Sequence, residues 1–98
     1  MTFSFQKERL TAISPEGVSM GYIAFPRIRA GLVNIDCVSV SPAFRGQGVE
    51  DAMMEALFSH LSKLGVKAAL TCPFAQQFAE THPQWKNLLP GEIHFTRH

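Results

Sequence analysis

Apolar and polar residues alternate through the N-terminal third, and that period of two predicts strands. Phe3 and Phe5 alternate with polar neighbours, and Leu10, Ala12 and Ile13 continue the pattern after a charged turn at Lys7-Glu8-Arg9. Pro15-Glu16-Gly17 reads as a turn, because proline presets φ and glycine accepts the positive φ that closes it. Val18, Met20, Tyr22 and Ala24 then share one predicted strand face, ended by Pro26. Gly31 opens a further run, Leu32 to Val40, in which Cys37 falls on the face of Val33 and Ile35 and reads as core. Three strands joined by short turns make an antiparallel meander.

The period then changes to that of a helix. Val49, Ala52, Met53, Ala56, Leu57, Leu61 and Leu64 recur at helical spacing, with Glu50, Asp51, Glu55, Ser59 and Lys63 on the other faces. Gly65 stands where a left-handed C-terminal cap belongs. Val66 to Thr71 follows as a short buried strand, expected to run parallel to the strand ending at Val40. Pro73 suits the first position of a helix, which Phe74, Ala75, Phe78 and Ala79 continue until His82-Pro83 breaks it. Trp85, Leu88 and Leu89 make one more turn, and Ile93 and Phe95 a last short strand. The order is β-β-β-α-β-α, an α+β fold with one parallel crossover.

Composition narrows the function. The 98 residues are read as one domain, 1–98, long enough to bury roughly 60% of the unfolded surface. With 46% hydrophobic residues the chain is no solvating tail. A net charge of +1 provides no basic face for nucleic acid. No apolar run approaches the ~20 residues of a membrane span, and Met1 to Phe5 lacks the design of a secretory signal. Cys37 and Cys72 are too few for a disulfide framework and lack metal spacing, so both read as reduced thiols in a cytoplasm. The four histidines form no metal-ligand pair: His60 reads as a boundary residue, His82 as a helix-end residue, and His94 and His98 as solvated. Met53, Met54 and the phenylalanines read as core, and Trp85 as the anchor of the final turn.

The connection Val38-Ser39-Val40-Ser41-Pro42-Ala43-Phe44-Arg45-Gly46-Gln47-Gly48-Val49 carries the chemistry. Two glycines one residue apart let backbone N–H groups converge, and the helix that follows adds its unpaired N–H groups and positive dipole end. Such a terminus cradles an anion, to which Arg45 adds a charge-assisted contact. Taken alone, Gly-x-Gly is more often a tight connection than a phosphate loop.

With its surroundings, the segment resembles the cofactor loop of the GNAT acyltransferase superfamily, on Val40-Ser41-Pro42 and Arg45-Gly46-Gln47-Gly48-Val49. Thr71-Cys72-Pro73-Phe74-Ala75, followed by His82-Pro83-Gln84-Trp85, is similar to the small single-domain members of that superfamily. The resemblance covers about residues 17–89. It implies a three-layer α+β domain with short C-terminal helices that binds acetyl-CoA or coenzyme A and acetylates an amine. Arg45, Gly46, Gln47, Gly48 and Val49 would face the phosphates, with Val38 and Val40 along the pantetheine. The cysteine matching Cys72 lies near the cofactor sulfur in such proteins, where it could take the acetyl group or deprotonate an amine. Cys72 also precedes a predicted helix, a position that favours reactive thiolates. Against this stands the commoner role of a lone cysteine as a buried apolar residue.

Two departures support a second reading. Ala43 stands where the family loop carries Gln or Arg, and Glu50 where a small residue is usual. Glu50 and Asp51 in the first helical turn would repel a pyrophosphate unless they point away. The alternative is a GNAT-like module that binds CoA or a protein partner without turnover.

Overall fold

Residues 1–90 are described in the computed structural model, and turn residues cut the first forty into six short strands rather than three. They are β1 (Thr2–Gln6), β2 (Arg9–Ile13), β3 (Ser19–Ala24), β4 (Arg27–Arg29), β5 (Leu32–Ile35) and β6 (Cys37–Val40). A 3-10 turn at Pro42–Phe44 leads to α1 (Val49–Leu64), β7 (Lys67–Leu70), α2 (Pro73–Thr81) and a second 3-10 segment, Pro83–Leu88. The fold is mixed α and β, an antiparallel sheet followed by a helix and a parallel strand. One sheet has the order β1-β2-β3-β6 and is antiparallel throughout; the other is β4-β5-β7, with β5 and β7 parallel. The strand expected at Ile93 and Phe95 lies outside the described residues, as do His94 and His98.

The expected single strand from Leu32 to Val40 divides at Asp36. Its first half pairs with β7, so the parallel partner of β7 is β5 and not the segment ending at Val40. The second half pairs with β3, and the Asp36 N–H donates to the Ala24 carbonyl at 3.0 Å. Skipping one residue also inverts the alternation. Val33 and Ile35 face the core before the break, while Val38 and Val40 do so after it. Cys37 is therefore outside the core, half-buried, with its Sγ 3.9 Å from the Tyr22 hydroxyl.

A bulge makes a similar correction in β3. Gly21 lies opposite Ala12 but Ser19 lies opposite Ile13, so Ser19 and Met20 break the alternation. Ile23 is fully buried and Val18 is 51% exposed. Tyr22 and Ala24 take the outer face, where the Arg9 guanidinium stacks 4.1 Å from the centroid of the Tyr22 ring.

Helix α1 buries Val49, Met53, Met54, Leu57, Phe58 and Leu61 against the sheets. Met54 and Phe58 extend the expected stripe, whereas Leu64, the last helical residue, is 61% exposed where the chain turns away. Gly65 ends the helix at φ +69°, and the Val66 N–H closes on the Leu61 carbonyl at 3.0 Å. Phe58 stacks on Phe78 of α2 and on Trp85, so α1 holds both C-terminal segments.

Candidate functional site

The site begins where β6 and β7 part. β5 and β7 stay in register to Ile35 and Leu70, and the N–H groups of Thr71 and Cys72 both reach the Ile35 carbonyl at 3.2 Å. Beyond that point β6 follows β3, and β7 turns into α2 at Pro73. A split opens between them, with one edge of β6 facing it.

At the far end of β6 the chain makes the turn that carries Gly46 and Gly48. Ser41 closes the strand by donating its N–H to the Met20 carbonyl at 2.9 Å, and the Pro42–Phe44 turn swings Arg45 outward. Gly46 and Gly48 have φ of +79° and +78°, which L side chains rarely adopt. A Cβ at either would meet nothing within 4 Å, so conformation and not crowding calls for glycine, and the space above the turn is open. Gly48 is the N-cap of α1, and the Ala52 N–H bonds back to its carbonyl at 3.1 Å. No side chain caps this terminus, leaving the first N–H groups of α1 to an external acceptor.

A cleft of about 280 Å³ joins the split to this turn, lined by Val38, Ser39, Val40, Arg45, Glu50 and Phe74. Val38, Val40 and Arg45 thus come together as a wall, with Gly46, Gln47 and Gly48 exposed on the adjoining turn. Val49 is fully buried and does not line the cleft. Glu50 lines the same cleft as Arg45. Asp51 lines a neighbouring cleft of about 260 Å³ with Phe74, Gln77, Phe78, Thr81 and His82. Phe74 divides the two. Its place in the wall was not visible in the helical stripe, because its exposure depends on where β6 lies. Ser39 was missed for the same reason.

Cys72 is the N-cap residue of α2, 8% exposed and packed in the main core cluster. Its Sγ makes no cap hydrogen bond, and it does not line the 280 Å³ cleft. His82 ends α2 with Nδ1 2.8 Å from the Phe78 carbonyl and 2.9 Å from Thr81 Oγ1. Nδ1 thus donates to that carbonyl, while Nε2 lies 3.8 Å from Glu55 Oε2. Among the described residues no cluster of three His, Cys, Asp or Glu could hold a metal, and no helix is long and apolar enough to cross a membrane.

Residues 9–88 match the family model described as GCN5-related N-acetyl-transferase. The chain belongs to that family. No curated protein matches the sequence. Among solved structures, a GCN5-like candidate N-acetyltransferase from Staphylococcus aureus, determined by NMR in solution, is 22% identical with a TM-score of 0.73. That similarity covers 99% of this chain and 95% of the other. Rv2747 from Mycobacterium tuberculosis, in complex with CoA and a second ligand, is 25% identical with a TM-score of 0.62 over 78% of this chain. YhbS from Escherichia coli, a GNAT family N-acetyltransferase in complex with CoA, is 19% identical with a TM-score of 0.61 over 79%. The aligned regions are 47% and 43% of those two proteins, so this chain spans less than half of each. The low identities establish a shared GNAT fold, and the family match covers most of the chain.

Proposed function

We propose that this chain, as one domain over residues 1–98, is an acetyl-CoA-dependent N-acetyltransferase acting on an exposed amine of a small molecule or peptide. The observation that carries the reading is the split beside β6, continuous with an uncapped helix terminus behind two left-handed glycines. Acetyl-CoA is the cosubstrate of the family, and two of the similar structures hold CoA.

The residues fit that ligand. The N–H groups of the turn from Gly46 to Val49 and the Arg45 guanidinium would hold the pyrophosphate. The edge of β6 at Val38 to Val40, which pairs with no strand among the described residues, would take up an extended amide-bearing arm as a further strand would. When bound, acetyl-CoA supplies an acyl carbon activated by its thioester. Phe74 and the valines exclude water from that arm. The reading places the acceptor amine at the base of the split, near Asp36 and Thr71. Two free cysteines and a near-neutral charge support a cytoplasmic setting without nucleic-acid partners.

Cys72 is assigned to the chemistry in this reading because it ends the connection from β7 to α2 at the base of the split. Its thiol would accept the acetyl group, passing its proton to the departing CoA thiolate, and then yield the acetyl to the amine and regain a proton from it. Alternatively, as a thiolate it would take a proton from the attacking amine during direct transfer. Cys72→Ser and Cys72→Ala should lose turnover while keeping CoA affinity. Full activity in both would return Cys72 to the core. A second reading, binding without turnover, is favoured by Glu50 in the cleft wall. Native mass spectrometry with added CoA, followed by an acetyl-CoA consumption assay, separates them: a CoA complex that never consumes acetyl-CoA supports the second.

A further inference from the structure

The geometry points to an acceptor pocket for a free α-amino acid in the cleft formed by the β1–β2 turn and Asp36. The inference rests on the acetyltransferase reading and extends it to the other substrate. β6 is four residues long and spans about 13 Å at the usual rise, with Gly46 and Gly48 beyond one end and Asp36 at the other. An arm anchored at the glycine turn and extended along β6 delivers its far end beside Asp36. There the strands have parted, and Asp36 is held by its own N–H to the Ala24 carbonyl. Ala24 and Asp36 both line a shallow, open cleft of about 430 Å³, completed by Lys7, Glu8 and Arg9 among others, which Asp36 links to the end of β6.

The charges in that cleft are paired in a way that selects a zwitterion. Two cations and two carboxylates line it, and neighbours already orient two of the four. Glu8 Oε2 accepts the Arg27 N–H at 3.0 Å, and the Arg9 guanidinium is stacked over Tyr22. The exposed Asp36 carboxylate meets an ammonium at the end nearest the split, and Lys7 with Arg9 meets a carboxylate on the β1–β2 turn. An amine alone would leave the cations unmatched, and an acid alone the carboxylates. In the reaction the bound ammonium first loses a proton to solvent. The free amine then forms the C–N bond to the acyl carbon, the C–S bond breaks, and the second amine proton leaves with the CoA thiolate. Asp36 is a positioning residue in that step, holding the amino group at the mouth of the split.

The test uses the full chain labelled with nitrogen-15 and titrated with free L-amino acids in the absence of CoA. Amide shifts should concentrate on Lys7 to Arg9, Ala24 and Asp36. The same amino acids as methyl esters or N-acetyl derivatives should bind about tenfold more weakly, having lost one charged contact. Asp36→Asn and Lys7→Gln, both at exposed positions, should weaken binding by a similar factor and raise KM in an acetyl-CoA assay, with CoA affinity unchanged. No amino acid shifting these amides while CoA binds normally would overturn the pocket and leave the cofactor reading intact. Amino-acid shifts at the cleft without any CoA binding would overturn the cofactor reading instead. Equal response to esters and free acids would overturn the zwitterion assignment.

Discussion

Trp85 Nε1 donates to Glu55 Oε1 at 3.2 Å, tying the C-terminal 3-10 segment to the middle of α1 across 30 residues of sequence. The other oxygen of Glu55 lies 3.8 Å from His82 Nε2, and the His82 ring stacks on Phe78 at 3.8 Å. One carboxylate thereby fixes both sides of the His82-Pro83 break, and with them the end of α2 whose first turn carries Phe74. Glu55→Ala should cost about 1–2 kcal/mol, below the upper range for a hydrogen bond to a charged acceptor because the Glu55 side chain is 44% exposed. For a domain of this size that lowers Tm by about 4–8 °C per kcal/mol in a thermal melt. Glu55→Gln keeps an acceptor for the indole and should recover most of the loss; equal losses in both variants would show that the bond contributes nothing.

Gly21 sets the distance between β3 and β6. A Cβ there would lie 2.5 Å from the Ser39 carbonyl oxygen and 3.1 Å from the Val40 Cα. Both are backbone atoms, so the strands must move apart. Gly21→Ala should destabilise by about 1–3 kcal/mol and, by displacing Ser39 and Val40 from the cleft wall, weaken CoA binding. Denaturant unfolding with a CoA titration checks both, and a fully stable variant with unchanged affinity would contradict the close approach.

Gly48 differs because its Cβ would meet nothing. Gly48→Ala carries the cost of a left-handed non-glycine residue, about 1–2 kcal/mol, and should retain CoA affinity in part. Gly48→Asp adds a negative charge at the turn and should abolish binding, with cooperative unfolding preserved. Affinities that match in the two variants would place the phosphates elsewhere.

Glu50 and Arg45 line the same cleft. Glu50→Ala removes the like charge and should tighten CoA by a few-fold at low salt, the gain shrinking as ionic strength rises. Calorimetry at two salt concentrations reads this directly, and a flat or weakened affinity would refute the repulsion.

The elements that local chemistry controls were legible in the residues themselves. The α1 stripe, its Gly65 cap, the Pro73 start of α2, the His82-Pro83 break and the Gly46–Gly48 turn each depend on backbone preferences or spacing within a few positions. The family resemblance drew on the same local signals and is matched over residues 9–88.

What only the tertiary structure decided concerns pairing. Nothing local to Leu32–Val40 announces the irregularity at Asp36, because it depends on distant strands: β4 and then β3 pair along one edge of β5 and β6, while β7 pairs only the opposite edge of β5. The break inverts the strand faces, moving Cys37 outward and Val38 inward, just as the bulge opposite Ile13 moves Ile23 inward. It also opens the split that makes a binding cleft from β6 and brings Glu50 and Phe74 into one wall. A period of two determines which residues share a face only while the strand stays regular. Wherever a residue is skipped or added, the assignment passes to the hydrogen bonds made with distant strands.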